Sequence, residues 1–83
     1  MKVYVVTSLI ESQDEGAEVN VVGTTDTLEK ARNLVKEVLD EAKEMYEEND
    51  FDYDTEVYDD YAIIEQLDGE ERIEYNIFER EVE

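Results

Sequence analysis

The sequence predicts an α+β domain in which one long helix covers one face of an antiparallel sheet of four or five strands, in the chain order ββαββ. Three observations support this fold class. Short runs rich in β-branched and aromatic residues stand near both ends of the chain, as in strands. Apolar residues recur every third or fourth position in its middle, as in a helix. Its 83 residues are enough for one domain, 1–83, with a thin two-layer core.

The first predicted strand runs from Val3 to Ile10 and is apolar on both faces, which favours an interior position in the sheet. A polar cluster, 11–16, follows it and ends in a glycine that suits a turn. The second predicted strand spans 18–24 and places Val19 and Val21 on one face. The short connection between the two strands favours antiparallel pairing.

The predicted helix begins after a capping box, with Asp26 as the N-cap and Glu29 as its partner, and ends at about Glu48. Its apolar positions form one wide stripe that we expect to pack on the sheet. The alternative is that the stripe pairs with a second helix. The stripe comprises Leu28, Ala31, Val35, Val38, Ala42 and Met45, flanked by Leu34, Leu39 and Tyr46.

A β-hairpin is predicted near the end of the chain, with strands 61–67 and 72–78 and a two-residue Asp68-Gly69 turn. In that register Ile64 faces Ile73 and Glu65 faces Arg72, so opposite charges pair on one side. The other side is then buried, and it consists of Ala62, Ile64, Ile73, Tyr75 and Ile77. Residues 79–83 are expected to fray.

Charge and composition exclude several functions. The chain has 26 acidic and 7 basic residues, and its formal charge is −19. So few cations argue against direct binding of nucleic acid or of polyanionic membranes. The absence of Cys and His removes thiol and imidazole chemistry. The apolar run at the start is too short for a signal peptide or a membrane span, so we expect a cytoplasmic protein.

The acidic residues are concentrated in one segment, 40–60, where 11 of 21 residues are acidic. Up to Asn49 the acids follow the helical period and form a ridge about 15 Å long. Beyond Asn49 they occupy every second position, 50–56, which is consistent with a short edge strand or with an irregular loop. The ridge consists of Glu37, Asp40, Glu44 and Glu47.

We predict that carboxylates of this segment bind a basic partner in place of phosphate groups, with two tyrosines as additional contacts. The predicted partner-binding carboxylates are Asp40, Glu44, Glu47, Glu48, Asp50, Asp52, Asp54, Glu56, Asp59 and Asp60, and the predicted tyrosine contacts are Tyr53 and Tyr58.

No catalytic residue, metal site or cofactor site is predicted. The run Asp50-x-Asp52-x-Asp54 is similar to the start of an EF-hand loop, but Thr55 stands where that loop needs Gly and Tyr61 where it needs Glu. Carboxylate pairs alone do not make a hydrolase, and the chain has too few bases to hold a phosphate and no glycine-rich phosphate loop. We therefore expect a protein that is not an enzyme.

In composition and size the acidic segment and its domain resemble the DNA-mimic inhibitors that phages use against restriction and CRISPR nucleases. The opening MKVYVVTS, with a second short strand and a TLEKA-type helix start, resembles small uncharacterised proteins of phages and Gram-positive bacteria over the first forty residues. The first resemblance implies a non-catalytic inhibitor of a nucleic-acid-binding protein or nuclease, encoded by a phage or mobile element.

Three alternatives stay open. An acidic adaptor or immunity-type protein would bind one basic protein without competing with nucleic acid. A protein from a halophile would be acidic for solubility alone. A homodimer could form through the uncovered face of the sheet or through an edge strand.

Overall fold

A computed structural model describes residues 1–82 and contains one helix and one five-stranded antiparallel sheet. The elements are β1 (Lys2–Ser12), β2 (Gly16–Thr25), α1 (Leu28–Glu48), β3 (Tyr53–Val57), β4 (Tyr61–Gln66) and β5 (Glu71–Glu81). The sheet order β2-β1-β5-β4-β3 makes β2 and β3 the edge strands and places β1 inside, as predicted. The predicted fold class and the fifth strand are confirmed.

The first and last strands pair along their full length and form the centre of the sheet. Their ladder runs from Lys2 opposite Glu81 to Ser12 opposite Glu71. The N-terminal ammonium group also lies 3.4 Å from a carboxylate oxygen of Glu81. The expectation that the chain frays from residue 79 is therefore wrong for residues 79–81, which are paired, while Glu83 lies outside the described residues.

The hairpin register is confirmed, because Ile64 pairs with Ile73 and Glu65 with Arg72. The turn itself is wider than the predicted two residues, since the strands end at Gln66 and resume at Glu71. Gly69 adopts a positive φ of 78°, whereas Asp68 does not. The Asp68 carboxylate instead accepts a hydrogen bond from the backbone N–H of Glu70 at 3.1 Å, which stabilises the turn locally.

The helix begins one residue later than predicted. Thr27 is the N-cap, and its hydroxyl accepts a hydrogen bond from the backbone N–H of Lys30 at 3.1 Å. Asp26, the predicted cap, lies just before it and pairs with the Lys30 ammonium at 2.9 Å. This hydrogen bond and the lysine's charge lower the pKa of the Asp26 carboxyl. Adjacent Asp and Thr are both good caps, so the sequence alone could not distinguish them.

The core lies between the helix and one face of the sheet. Leu39 and Tyr46 lie at its centre, whereas Met45, predicted to belong to the apolar stripe, is exposed. The buried face of the helix is therefore turned slightly about the helix axis, toward Leu39 and Tyr46 and away from Met45. Its extent along the helix is as predicted. The core residues are Val6, Ala31, Val35, Leu39, Ala42, Tyr46, Ala62, Ile64, Ile73 and Tyr75.

The opposite face of the sheet is not covered by any described element. Near β2 it is apolar, because Val19, Val21 and Phe78 lie there and are exposed. Near β3 it is charged, and Arg72 contacts several carboxylates there. The register shift between Val6 and Thr7 marks a β-bulge in the pairing of β1 with β2.

Candidate functional site

The helix displays the first group of predicted carboxylates. Asp40, Glu44, Glu47 and Glu48 are all exposed and lie on the helix away from its buried stripe. The last turn contains no basic residue, so negative charge stands at the end where the helix dipole disfavours it. These acids therefore lower the stability of the helix.

The helix ends in a Schellman motif, and this changes the position of Asp50. Its backbone N–H donates to the carbonyl of Glu47 at 3.2 Å, and that of Phe51 donates to the carbonyl of Tyr46 at 2.9 Å. Asp50 takes a left-handed φ of 58°, at a position where glycine is usual. The prediction that Asp50 starts the alternating row is therefore wrong, because this residue turns the chain.

Three aromatic rings fix the segment that follows. Tyr46 is buried and contacts Phe51 edge-on, with ring centroids 6.1 Å apart, and Tyr53 at 5.9 Å. Its hydroxyl donates to the Glu71 carboxylate at 2.7 Å. Burial and this hydrogen bond raise the pKa of Tyr46. The end of the helix and the start of β3 thus form one packed unit.

Tyr53 contacts a carboxylate of the helical ridge. Its hydroxyl donates to the Glu47 carboxylate at 2.6 Å, and this hydrogen bond raises the pKa of Tyr53. The bond holds the Glu47 side chain in one orientation.

Asp54 and Glu56 lie on the other side of the molecule. Thr55 between them pairs with the buried Ile64 and faces the helix. Because side chains alternate along a strand, the two acids point to the uncovered face of the sheet. The structure does not join them to the helical ridge in one continuous surface, as the sequence pattern had suggested.

Asp59 and Asp60 lie in the short connection between β3 and β4. The backbone carbonyl of Asp60 accepts a hydrogen bond from Ile77 N–H at 2.9 Å. That of Asp59 accepts one from Arg32 Nε, also at 2.9 Å. Tyr58 in the same connection stacks on Tyr61 with ring centroids 4.4 Å apart. The connection is therefore fixed at several points, and both carboxylates are exposed on it.

Asp52 lies between the helix end and β3 and is exposed. Its carbonyl accepts a hydrogen bond from the N–H of Leu67 at 3.0 Å, which fixes the backbone there. Tyr58 is 49% exposed, and the nearby Glu56 carboxylate raises the pKa of its phenol. Tyr58 is therefore the more accessible of the two predicted tyrosine contacts.

The internal ion pairs leave most of these carboxylates without a counter-charge. Among residues 1–82 there are seven ion pairs, and only Lys43 with Asp40, at 3.9 Å, involves a predicted binding residue. Three of the seven are made by Arg72 alone, on the uncovered sheet face. The helical ridge and the connections around β3 are therefore an electrostatically uncompensated surface.

Within the part of the chain that the structure describes, no three acidic side chains are grouped to hold a metal ion. In the same residues, no helix is long and apolar enough to cross a membrane.

No family model matches the chain, and no curated protein or solved structure is similar to it. The function is therefore inferred from the arrangement of its own side chains.

Proposed function

We propose that this protein is a non-catalytic inhibitor that occupies the basic groove of a nucleic-acid-binding protein or nuclease. The helical ridge supplies the main contact, and the acids in the connections flanking β3 extend it. The observation that carries the proposal is the uncompensated charge of the ridge, which lies at the end of the helix where it costs stability.

The axial spacing of the predicted binding carboxylates on the helix is close to that of phosphates on a nucleic-acid strand. From Asp40 to Glu48 the helix rises about 12 Å and displays four of the predicted carboxylates. This is one charge per 3 to 4 Å, approximately, against about 3.4 Å per phosphate along one strand of DNA. A groove that binds a phosphate strand would meet a similar charge density on this helix.

Rigidity also supports the proposal, because a preorganised surface loses less entropy on binding. The ridge stands on a packed helix, and the Tyr53 hydroxyl holds Glu47 in place. The connection that carries Asp59 and Asp60 is fixed by backbone hydrogen bonds. Asp54 and Glu56 face the other way and would contact a partner only if it also covered the β3 edge.

The test is capture of proteins from a bacterial lysate on the immobilised protein, followed by elution with duplex DNA at constant ionic strength. We expect DNA to release the captured protein. A variant that neutralises the four predicted binding carboxylates of the helix should bind about thirty-fold more weakly, since exposed charges contribute roughly 0.5 kcal/mol each. Its substitutions are Asp40→Asn, Glu44→Gln, Glu47→Gln and Glu48→Gln.

A matched control removes the same charge elsewhere, through Asp14→Asn, Glu15→Gln, Glu18→Gln and Glu70→Gln, all exposed positions outside the candidate surface. This control should retain binding. Equal loss in both variants would mean that total charge matters and not the ridge. Capture that DNA does not reverse would favour the acidic adaptor instead.

A further inference from the structure

A groove beside the helix combines features that the acidic surface lacks. It has a volume of about 460 Å³ and lies between one flank of α1 and the connection from β3 to β4. This volume is within the range of small-molecule sites, about 300 to 1,000 Å³. Its lining includes Arg32, Lys36 and Lys43 on the helix and Val57 and Ile77 on the sheet.

The interior of the groove is apolar. Val35 and Leu39 are buried and belong to the core, and Ile77 packs against it. Val57, which is opposite the buried Ala62 and 65% exposed, lines the side away from the helix. An apolar body could pack on these side chains.

The stacked rings of Tyr58 and Tyr61 are not part of this interior. The Tyr58 hydroxyl donates to Glu56, and Tyr61 is opposite Asn76, so both rings lie toward the uncovered face of the sheet.

Cations line the helical side of the same groove. Arg32, Lys36 and Lys43 are three of the seven basic residues of a chain with a formal charge of −19. Their spacing of four and seven residues places them on one flank of the helix. The sequence analysis missed this group, although the spacing is visible in the sequence.

These cations form few ion pairs within the described residues. Within residues 1–82, Arg32 and Lys36 form none, and Lys43 reaches only Asp40, at 3.9 Å. The Nε of Arg32 donates to the carbonyl of Asp59, which orients the guanidinium beside the groove. A concavity of about 450 Å³ near the β1–β2 turn differs, because three carboxylates there surround the single cation of Arg72.

We propose that this groove binds a small organic anion, with an apolar body between the helix and the side chains of Val57 and Ile77 and its acidic group at Arg32 and Lys36. Carboxylate, sulfonate and phosphate share the required charge. Three cations against the carboxylates of Asp40 and Asp59 make this groove a locally favourable place for an anion on a protein that otherwise repels anions.

The test is titration with naphthalenesulfonate, followed by amide resonances in two-dimensional NMR spectra. We expect saturable shifts around Arg32, Lys36 and Val57, and no saturable shifts there with naphthylmethylammonium, which has a similar body and the opposite charge. Lys36→Gln should weaken binding about fivefold, the upper range for an exposed charge pair.

Lys30→Gln is the matched control, because it removes the same charge from another flank of the helix, where Lys30 pairs with Asp26. It should leave the affinity unchanged. Equal weakening by both variants, equal binding of the ammonium compound, or saturable shifts confined to the uncovered sheet face would overturn the proposal. Absence of saturable binding would overturn it as well.

Discussion

The two edge strands of the sheet, β2 and β3, are protected in different ways against pairing with other chains. An exposed edge offers unpaired backbone groups to other chains. The β3 edge is five residues long, carries Asp54 and Glu56, and lies between connections that are also acidic. The β2 edge is ten residues long and has Glu18 as its only charged residue. Charge therefore protects the β3 edge from pairing with other chains. The β2 edge has little charge, and its main protection is the β-bulge in its pairing with β1.

The two edges also differ in what holds them to the rest of the molecule. Nine residue pairs join β2 to β1, whereas five join β3 to β4. The shorter strand is held in addition by Tyr46, which contacts both Phe51 and Tyr53. The acidic edge thus depends on side-chain packing, and the apolar edge depends on backbone pairing.

Tyr46→Ala should produce the largest effect on this contrast. Tyr46 is 1% exposed, and truncation of a buried aromatic side chain costs about 3 to 5 kcal/mol of unfolding free energy. Amide hydrogen exchange should accelerate in β3 more than in β2. Tyr46→Phe keeps the ring and loses only the hydrogen bond to Glu71, so it should cost about 1 kcal/mol. Equal acceleration in both edge strands would contradict the proposed role of Tyr46.

The sequence predicted those features of the fold that depend on local pattern. The hairpin register followed from Asp68-Gly69, because the burial of Ile64 and Ile73 and the pairing of Glu65 with Arg72 agreed with it. The alternation of acids in 50–56 predicted an edge strand as one of two outcomes, and the strand that forms is Tyr53–Val57. The left-handed Asp50 could not be foreseen in the same way, because glycine is the residue expected there.

The sequence analysis did not predict that the acids are divided between the outer side of the helix and the uncovered face of the sheet. The amphipathic patterns of the two elements nevertheless imply this division. A helix and a strand that bury facing surfaces must expose surfaces that point in opposite directions. The outer side of the helix, with Glu44, and the outer side of β3, with Asp54, therefore cannot form one face. The ten predicted acids are all exposed, but they do not share one face of the molecule.

Alkaline pH should weaken the aromatic anchor of the β3 edge. Burial, followed by the Glu71 hydrogen bond and charge, raises the pKa of Tyr46, so the folded state keeps a proton that an unfolded tyrosine loses near pH 10. This contribution to stability is complete below about pH 10 and is lost above it, by about 1.4 kcal/mol per pH unit. Denaturant unfolding at several pH values measures it.

Tyr46→Phe is the control for the alkaline effect. Its stability should fall less steeply above about pH 10, and the remaining slope would come from groups such as Tyr75, whose pKa is raised mainly by burial. An unchanged slope in the variant would show that Tyr46 does not cause the loss.

Asp50→Gly should raise the unfolding free energy by about 1 kcal/mol. The φ of 58° is unfavourable for a residue with a side chain, and the carboxylate lies where the helix dipole disfavours it. Asp50→Asn separates the two causes, since it removes the charge and keeps the side chain, and it should gain about half as much. A glycine variant no more stable than the asparagine variant would exclude the backbone contribution. Thermal and denaturant unfolding provide the measurement.

Val21→Lys should have the smallest effect on stability and tests the β2 edge directly. Val21 is 68% exposed on the uncovered face, so the substitution should change the unfolding free energy by less than about 0.5 kcal/mol. At about 1 M salt, where charges are screened beyond roughly 3 Å, we expect the wild type to associate through β2 and the variant to sediment as a monomer. Glu56→Gln, on the β3 edge, should associate like the wild type. Association of Val21→Lys to the same extent would mean that the wild type does not associate through β2. A wild type that stays monomeric in salt would mean that the bulge alone is enough to protect this edge.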